Sequence, residues 1–149
     1  MKSLLRTDSD PILLIARVVL GAVLFAHGAQ HVLGLFGGQG LDQTFQFFAS
    51  LGLPRYAAML VMALEFVGGP MLILGLLGRV IGLGTIVYLG AAAYVVARPY
   101  GFFMNWANTQ TGEGFEFHLI AIALALAILT HGSGPLSIDR SLAGGSRRR

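Results

Sequence analysis

The chain has 149 residues, of which 55% are hydrophobic and only 11% charged, with a net charge of +3, and its mean hydropathy is +0.73. Soluble domains run at roughly 25% charged residues, so this chain has too little polar surface to cover a water-soluble globule. One integral membrane domain remains by length; a soluble enzyme, a disordered tail and a nucleic-acid reader are excluded.

At the N-terminus, Lys2 and Arg6 precede an apolar run that starts at Pro11, in the outline of a secretion signal. Asp8 and Asp10 sit where such a signal is basic, and the run carries Arg17, His27, Gln30 and His31, so it reads as a retained span. A helix crossing hydrocarbon needs about 20 apolar residues. Four segments qualify: 11–35, 56–77, 79–97 and 116–134. They predict an all-α membrane protein, a four-transmembrane-helix antiparallel bundle forming one domain over 1–140, followed by a basic tail over 141–149. Only Leu77-Gly78-Arg79 separates the second and third spans, which predicts a tight hairpin.

Lys2, Arg6, Arg79, Arg140, Arg147, Arg148 and Arg149 fall on one side of this arrangement and Arg55 and Arg98 on the other. The excess of basic residues marks the cytoplasmic side, so both termini are expected there. The tail then faces anionic lipid, and without a basic stripe interleaved with aromatics no nucleic-acid partner is expected. In the first outer connection, Leu41 to Leu51 has an amphipathic pattern. It predicts a short interfacial helix, capped by Gly52 and stopped before Pro54. In the second, Tyr100-Gly-Phe-Phe-Met-Asn-Trp106 reads as an aromatic anchor at the membrane boundary. No cysteine is present, so disulfides, thiolate metal sites and iron–sulfur clusters are excluded. Redox work would require a bound cofactor or a partner.

A charge in hydrocarbon costs at least ~2.5–3.5 kcal/mol, so each ionisable residue in a span marks a paired, inward-facing or functional position. At a rise of ~1.5 Å per residue, Arg17 lies ~9 Å from the start of the first span and Glu65 ~14 Å below the outer start of the second. That depth match predicts an Arg17–Glu65 pair, whose plainer role is to staple two helices. Arg17, Gly21, Leu24, Gly28 and His31 share one face of the first span, with His27 at its edge. Glycines on that stripe allow close helix approach. His27 and His31, four residues apart, can point together toward a metal, a haem edge or a proton path. Two histidines are too few for a metal site, and hydrogen bonding inside the bundle is their plainer role. Glu116, at the start of the fourth span, lies at a depth comparable to His31 and predicts a His31–Glu116 contact with His27 close by. A carboxylate in the first turn also simply favours the helix dipole. Pro70, after Gly68-Gly69, predicts a kink near Glu65 that frees the carbonyl of Phe66. Gly78-x-x-x-Gly82 and Ala121, Ala123, Ala125 and Ala127 suit close packing, within the bundle or between protomers. His131 is expected to cap the last turn of the fourth span.

Arg17, Gly21 and His27-Gly28-x-Gln30-His31, then Glu65 with Gly68, Gly69 and Gly75, then Gly114-Phe-Glu116-Phe-His-Leu119 form an ordered set. The closing Gly132-x-Gly134-Pro-Leu-Ser137-Ile-Asp139 is its most specific stretch. In this order and spacing, over residues 10–140, the chain resembles the DoxX family. One departure is His31, where many members carry Lys. The resemblance implies a small four-helix protein of the bacterial inner (plasma) membrane. Some relatives are tied to redox work, as a subunit of a thiosulfate:quinone oxidoreductase or in a mycobacterial membrane oxidoreductase complex with superoxide dismutase and a sulfurtransferase. The functional expectation is an accessory or anchor subunit of a membrane redox or oxidative-stress system. Its partners would be the lipid bilayer, proteins of that complex and a second copy of the chain, and its cofactor a quinone rather than haem or metal. A non-enzymatic binder, carrier or sensor of a small hydrophobic compound is the alternative, and a structural assembly protein a third. The candidate residues are Arg17, Glu65, His27, His31 and Glu116. No nucleophile–base arrangement, phosphate loop or nucleotide fingerprint supports catalysis by the chain alone.

Overall fold

The computed structural model describes residues 4–144, and among these all regular structure is helical. Lys2 and Arg147 to Arg149, four of the charges used for orientation, lie outside the described residues, as does the tail beyond Gly144. Helix α1 (Pro11–Leu33) starts where the Asp10 side chain accepts from the Ile12 N–H, with Pro11 at the first helical position. It ends at Gly34, whose positive φ of 69° lets its N–H return to the last carbonyls. The first span is thus two residues shorter than expected. Helix α2 (Gly40–Ser50) is the short amphipathic element predicted between the first two spans, and Gly52 at φ 73° and Pro54 close it.

The second span is two helices, α3 (Arg55–Phe66) and α4 (Gly68–Leu74), broken at Val67. Pro70 cannot donate to Phe66, so the ladder is interrupted where the sequence predicts it. After Gly75–Leu77 comes α5 (Gly78–Ala92), which runs on through a π-helical turn (Ala93–Ala97) and a 3-10 turn (Arg98–Tyr100). Helix α6 (Glu116–His131) and the short α7 (Ile138–Leu142) complete the chain. Three stretches, Pro11–Leu33, Arg55–Leu74 and Gly78–Tyr100, are long and apolar enough to cross a membrane, and α6 is shorter. At 16 residues, α6 is about 24 Å long, less than the ~30 Å of a hydrocarbon core.

Helix α1 lies at the centre, packed on α3 and α4 on one side and on α6 on the other, while α5 packs chiefly on α6. The expected tight pairing of the second and third spans is corrected. The short turn joins α4 to α5, but α5 leans away onto α6 because the small residues sit on that face. A Cβ on Gly82 would meet the Ala125 carbonyl at 3.0 Å, and one on Gly78 would run into Ser133. On the other side of α1, a Cβ on Gly21 would lie 2.7 Å from the Gly69 carbonyl, and one on Gly28 would collide with the backbone of Glu65 and Phe66. Lipid tails are as apolar as leucine, so burial by itself does not drive helices together in a membrane; close approach at small residues does. Leu20, Leu24, Leu72, Ile81, Leu89, Ala121, Ala125 and Ile128 fill the interior. Ile12, Ile15, Val19, Leu60, Val87 and Ile120 point outward, as suits side chains facing lipid.

Candidate functional site

Two buried polar sites occupy opposite ends of the molecule, and the sequence motifs divide between them. At the end holding both described chain termini, Arg17 is 1% exposed. Its guanidinium donates to the carbonyls of Leu72 and Ile73 at the end of α4, and to those of Pro135 (3.1 Å) and Leu136 (2.7 Å). A cation at a helix C-terminus satisfies orphan carbonyls and opposes the negative end of the dipole. Asp139, also 1% exposed, does the converse at the start of α5. Its carboxylate accepts from the N–H groups of Leu77 (2.8 Å) and Gly78 (3.0 Å) and from the Ser133 hydroxyl (2.6 Å). The Asp139 N–H donates to the Gly75 carbonyl. Gly75, at φ 69°, leaves no room for a side chain between Ser137 and Arg17. The Gly132-to-Asp139 stretch is therefore a clasp that ties the last segment to the α4–α5 corner. Arg79 adds to it by donating to the Leu129, Thr130 and Arg6 carbonyls. His131 is the last residue of α6, and its carbonyl accepts from the Asp8 N–H at 3.0 Å.

Arg17 and Glu65 do not meet, which corrects the predicted pair. Glycine contacts set the register of α1 against α3: Gly28, not Arg17, lies level with Glu65. Eleven residues of helix separate Gly28 from Arg17, about 16 Å, beyond the reach of an arginine side chain. Helix rise within each span carries no information on this register between spans.

Glu65 instead belongs to the second polar site. It is 1% exposed and holds two partners. Its Oε1 accepts from the Tyr88 hydroxyl at 2.7 Å, and its Oε2 lies 2.7 Å from Nδ1 of His31. Nδ1 of His31 donates to the carboxylate in one tautomer and accepts a carboxyl proton in the other. Close approach at Gly28 lets α1 carry His31 to Glu65, three residues further along the same face. Tyr88 was not singled out from the sequence. The available signal was its position in the middle of a span, since membrane tyrosines ordinarily sit at the interface.

Glu65 and Tyr88 line a cavity of about 180 Å³ between α1, α3, α5 and α6. Leu20, Leu24, Leu89 and Ala121 form its apolar floor, and His27, Phe117 and His118 another part of its wall. The His27 ring lies 6.2 Å from that of Phe117, tilted by 52°. Buried Nδ1 of His118 has no hydrogen-bond partner among the described residues. Met104 and Glu113 reach the cavity from the connection before α6. That connection folds back on itself: Phe115 N–H donates to the Gly101 carbonyl, and Glu116 N–H to that of Phe102. These bonds satisfy non-helical backbone next to the start of α6 within the chain itself.

The predicted His31–Glu116 contact is also corrected. Glu116 Oε2 accepts from the Met104 N–H at 3.1 Å, and Glu113 from the Asn105 N–H at 2.6 Å. As the first residue of α6, Glu116 closes the connection, and His118 rather than Glu116 reaches the cavity. Of the candidates, the structure thus brings His31 and Glu65 into direct contact and sets His27 on the same cavity. It leaves Arg17 in the clasp and Glu116 in the cover. Among the described residues no group of three His, Cys, Asp or Glu side chains is placed to hold a metal.

The family model for DoxX matches residues 12–98, which include Arg17, His31, Glu65 and Tyr88. The chain is 32% identical over 127 residues to a Bacillus subtilis (strain 168) protein named "Putative oxidoreductase CatD", covering 85% of this chain and 83% of that one. It is 28% identical over 129 residues to "Inner membrane protein YqjF" of Escherichia coli (strain K12), covering 87% and 90%. No solved structure gave a significant match. The chain belongs to the DoxX family of membrane proteins.

Proposed function

We propose that this protein is the membrane subunit of a redox system and binds the headgroup of a quinone in the cavity beside Glu65 and Tyr88. In this reading α1, α3 with α4, α5 and α6 are four spans of the bacterial inner membrane, with both termini cytoplasmic. The observation that carries it is a buried carboxylate, bonded to a tyrosine and a histidine, on the wall of a cavity whose remaining lining is mostly apolar. A quinone needs this combination: an apolar slot for the ring, and a proton donor and acceptor for the oxygen. At about 180 Å³ the cavity falls below the ~300–1,000 Å³ of sites for drug-sized ligands, so it suits a single ring with its tail left in lipid. The name of the Bacillus relative supports a redox role, and that of the Escherichia relative supports the membrane assigned here. Electrons must come from a bound cofactor or a partner, because the chain has no cysteine. A chemically quieter binder of a small hydrophobic compound would use the same cavity without needing Tyr88 or Glu65.

Titration of the purified protein in nanodiscs with a short-chain benzoquinone and a naphthoquinone tests this. A ligand at about 100 times its Kd adds about 2.7 kcal/mol, or about 5–10 °C in Tm for a chain of this size. Tyr88→Phe and Glu65→Gln should each remove most of the shift while leaving the unliganded protein folded. Absence of a shift with both quinones would overturn the proposal, and an unchanged shift in both variants would favour the quieter binder.

A further inference from the structure

The Glu65 carboxylate is a partition between two compartments. The cavity is lined by Glu65 and Tyr88 but not by His31. On the far side of His31 lies a second, more open vestibule of about 280 Å³, lined by Gln30, His31, Gly38, Gln39, Thr44 and Phe47, and reached by neither Glu65 nor Tyr88. One oxygen of Glu65 therefore serves the tyrosine of the cavity, and the other serves the histidine of the vestibule. The exposures follow suit: the Glu65 side chain is 1% accessible and that of His31 31%. Polar groups hold the vestibule in shape. The Thr44 hydroxyl donates to the Gly40 carbonyl at 2.8 Å and to the His31 carbonyl at 3.2 Å, and the Gln30 amide donates to the Phe36 carbonyl at 3.1 Å. Gly38 fits closely against Gln30, where a Cβ would not.

We propose that His31 is the proton port of the buried site, carrying protons between the Glu65–Tyr88 pair and water beneath α2. A hydroxyl in the cavity gives its proton to the Tyr88 oxygen as Tyr88 gives its own to Oε1 of Glu65. The carboxyl group turns about its last bond and presents that proton to His31. The imidazole, with Nδ1 bare, accepts it there and releases the Nε2 proton to vestibule water; the number of protons on the chain is unchanged, and exchange of the ring protons with that water restores the starting tautomer. Uptake runs the same steps backwards. An imidazole suits this because it can donate at one nitrogen while accepting at the other, and because its ordinary pKa lies near neutrality. A lysine at this position could pair with Glu65 but holds its proton near neutrality, because its ordinary pKa is about 10.4. The proposal rests on the quinone reading only for what fills the cavity; the port itself is a property of Glu65, Tyr88 and His31.

Exchange of the Tyr88 hydroxyl proton, measured without ligand, tests the port apart from that reading. Protein labelled with ¹³C at tyrosine Cζ is placed in nanodiscs in equal volumes of H₂O and D₂O. The chain has four tyrosines, and Tyr88→Phe identifies the line of Tyr88. Slow hydroxyl exchange splits a Cζ line by the isotope shift, and its exchange rate is then read from the spectrum. His31→Phe should slow the exchange of Tyr88 about tenfold or more, the lower end of what a positioned proton-transfer group contributes. His31→Gln keeps a hydrogen-bond donor for Glu65 but cannot shuttle a proton, so it should be as slow as His31→Phe. Wild-type rates in His31→Gln would show His31 to be structural only and overturn the proposal. So would slowing by His27→Phe without slowing by the His31 variants, because the proton would then leave through the cavity. Slow exchange in the His31 variants together with a failure to bind either quinone would uphold the port and reject the quinone. Quinone binding with unchanged exchange would do the reverse.

Discussion

Arg17, Glu65 and Asp139 are the three buried charges of the described chain, and each is stabilised differently. Arg17 meets four carbonyls, Asp139 two backbone N–H groups and a hydroxyl, and Glu65 a phenol and an imidazole. No two of them pair directly, so each can be tested alone. Asp139→Asn leaves the carboxamide NH₂ facing a donor that Asp139 had satisfied. It should lower stability by about 2–3 kcal/mol, the worth of bonds to a charged group, measured by denaturant unfolding in detergent. Arg17→Met and Glu65→Leu should combine additively, with a coupling below about 0.5 kcal/mol, as expected for sites more than ~7–10 Å apart. A large favourable coupling in that double-mutant cycle would mean that the two charges meet after all.

Among the elements, glycines determine which side chains meet. Gly21 and Gly69 bring α1 and α4 together, and Gly28 seats α1 against the break between α3 and α4. That break follows from Pro70, and at Val67 it lies two residues beyond Glu65. A single contact thus brings backbones close, places Glu65 at the level of Gly28 and leaves His31 within reach. Gly28→Ala puts a methyl group onto the backbone of Glu65 and Phe66. Overpacking of this kind should cost about 1–3 kcal/mol. It should also separate His31 from Glu65, so ligand-induced stabilisation should fall with Tm. Ala at Gly90, where a Cβ meets nothing within 4 Å, is the matched control and should change neither.

At the scale of the whole molecule, the clasp holds together the ends of α4, α5 and α6, and the port and cavity lie toward the other end. The proposed orientation puts the clasp in the cytoplasm and the vestibule and the 101–115 connection outside. Without a native cysteine, single cysteines report sidedness cleanly. In intact cells a membrane-impermeant maleimide should label Asp42→Cys and Trp106→Cys, and should reach Arg140→Cys only after the membrane is opened. Labelling of Arg140→Cys in intact cells would invert the topology, and the port would then open to the cytoplasm.

Membrane class, the apolar helices, the short helix before Pro54, the kink at Pro70 and the buried face of α1 were all legible in the chain. They depend on composition, on periodicity and on the local chemistry of Gly, Pro and capping residues. Asp139 is legible only as part of a motif and Tyr88 not at all, because a lone hydroxyl leaves no pattern along a sequence. The pairing of the buried charges depended on tertiary structure. Helix rise gives the spacing of residues within one span but not the offset between two, and here backbone contacts at Gly21, Gly28 and Gly69 set that offset. Arg17 lies about 16 Å along α1 from the level of Glu65, and this exchanges Arg17 for His31 as the partner of Glu65 and turns a predicted staple into the proposed proton port.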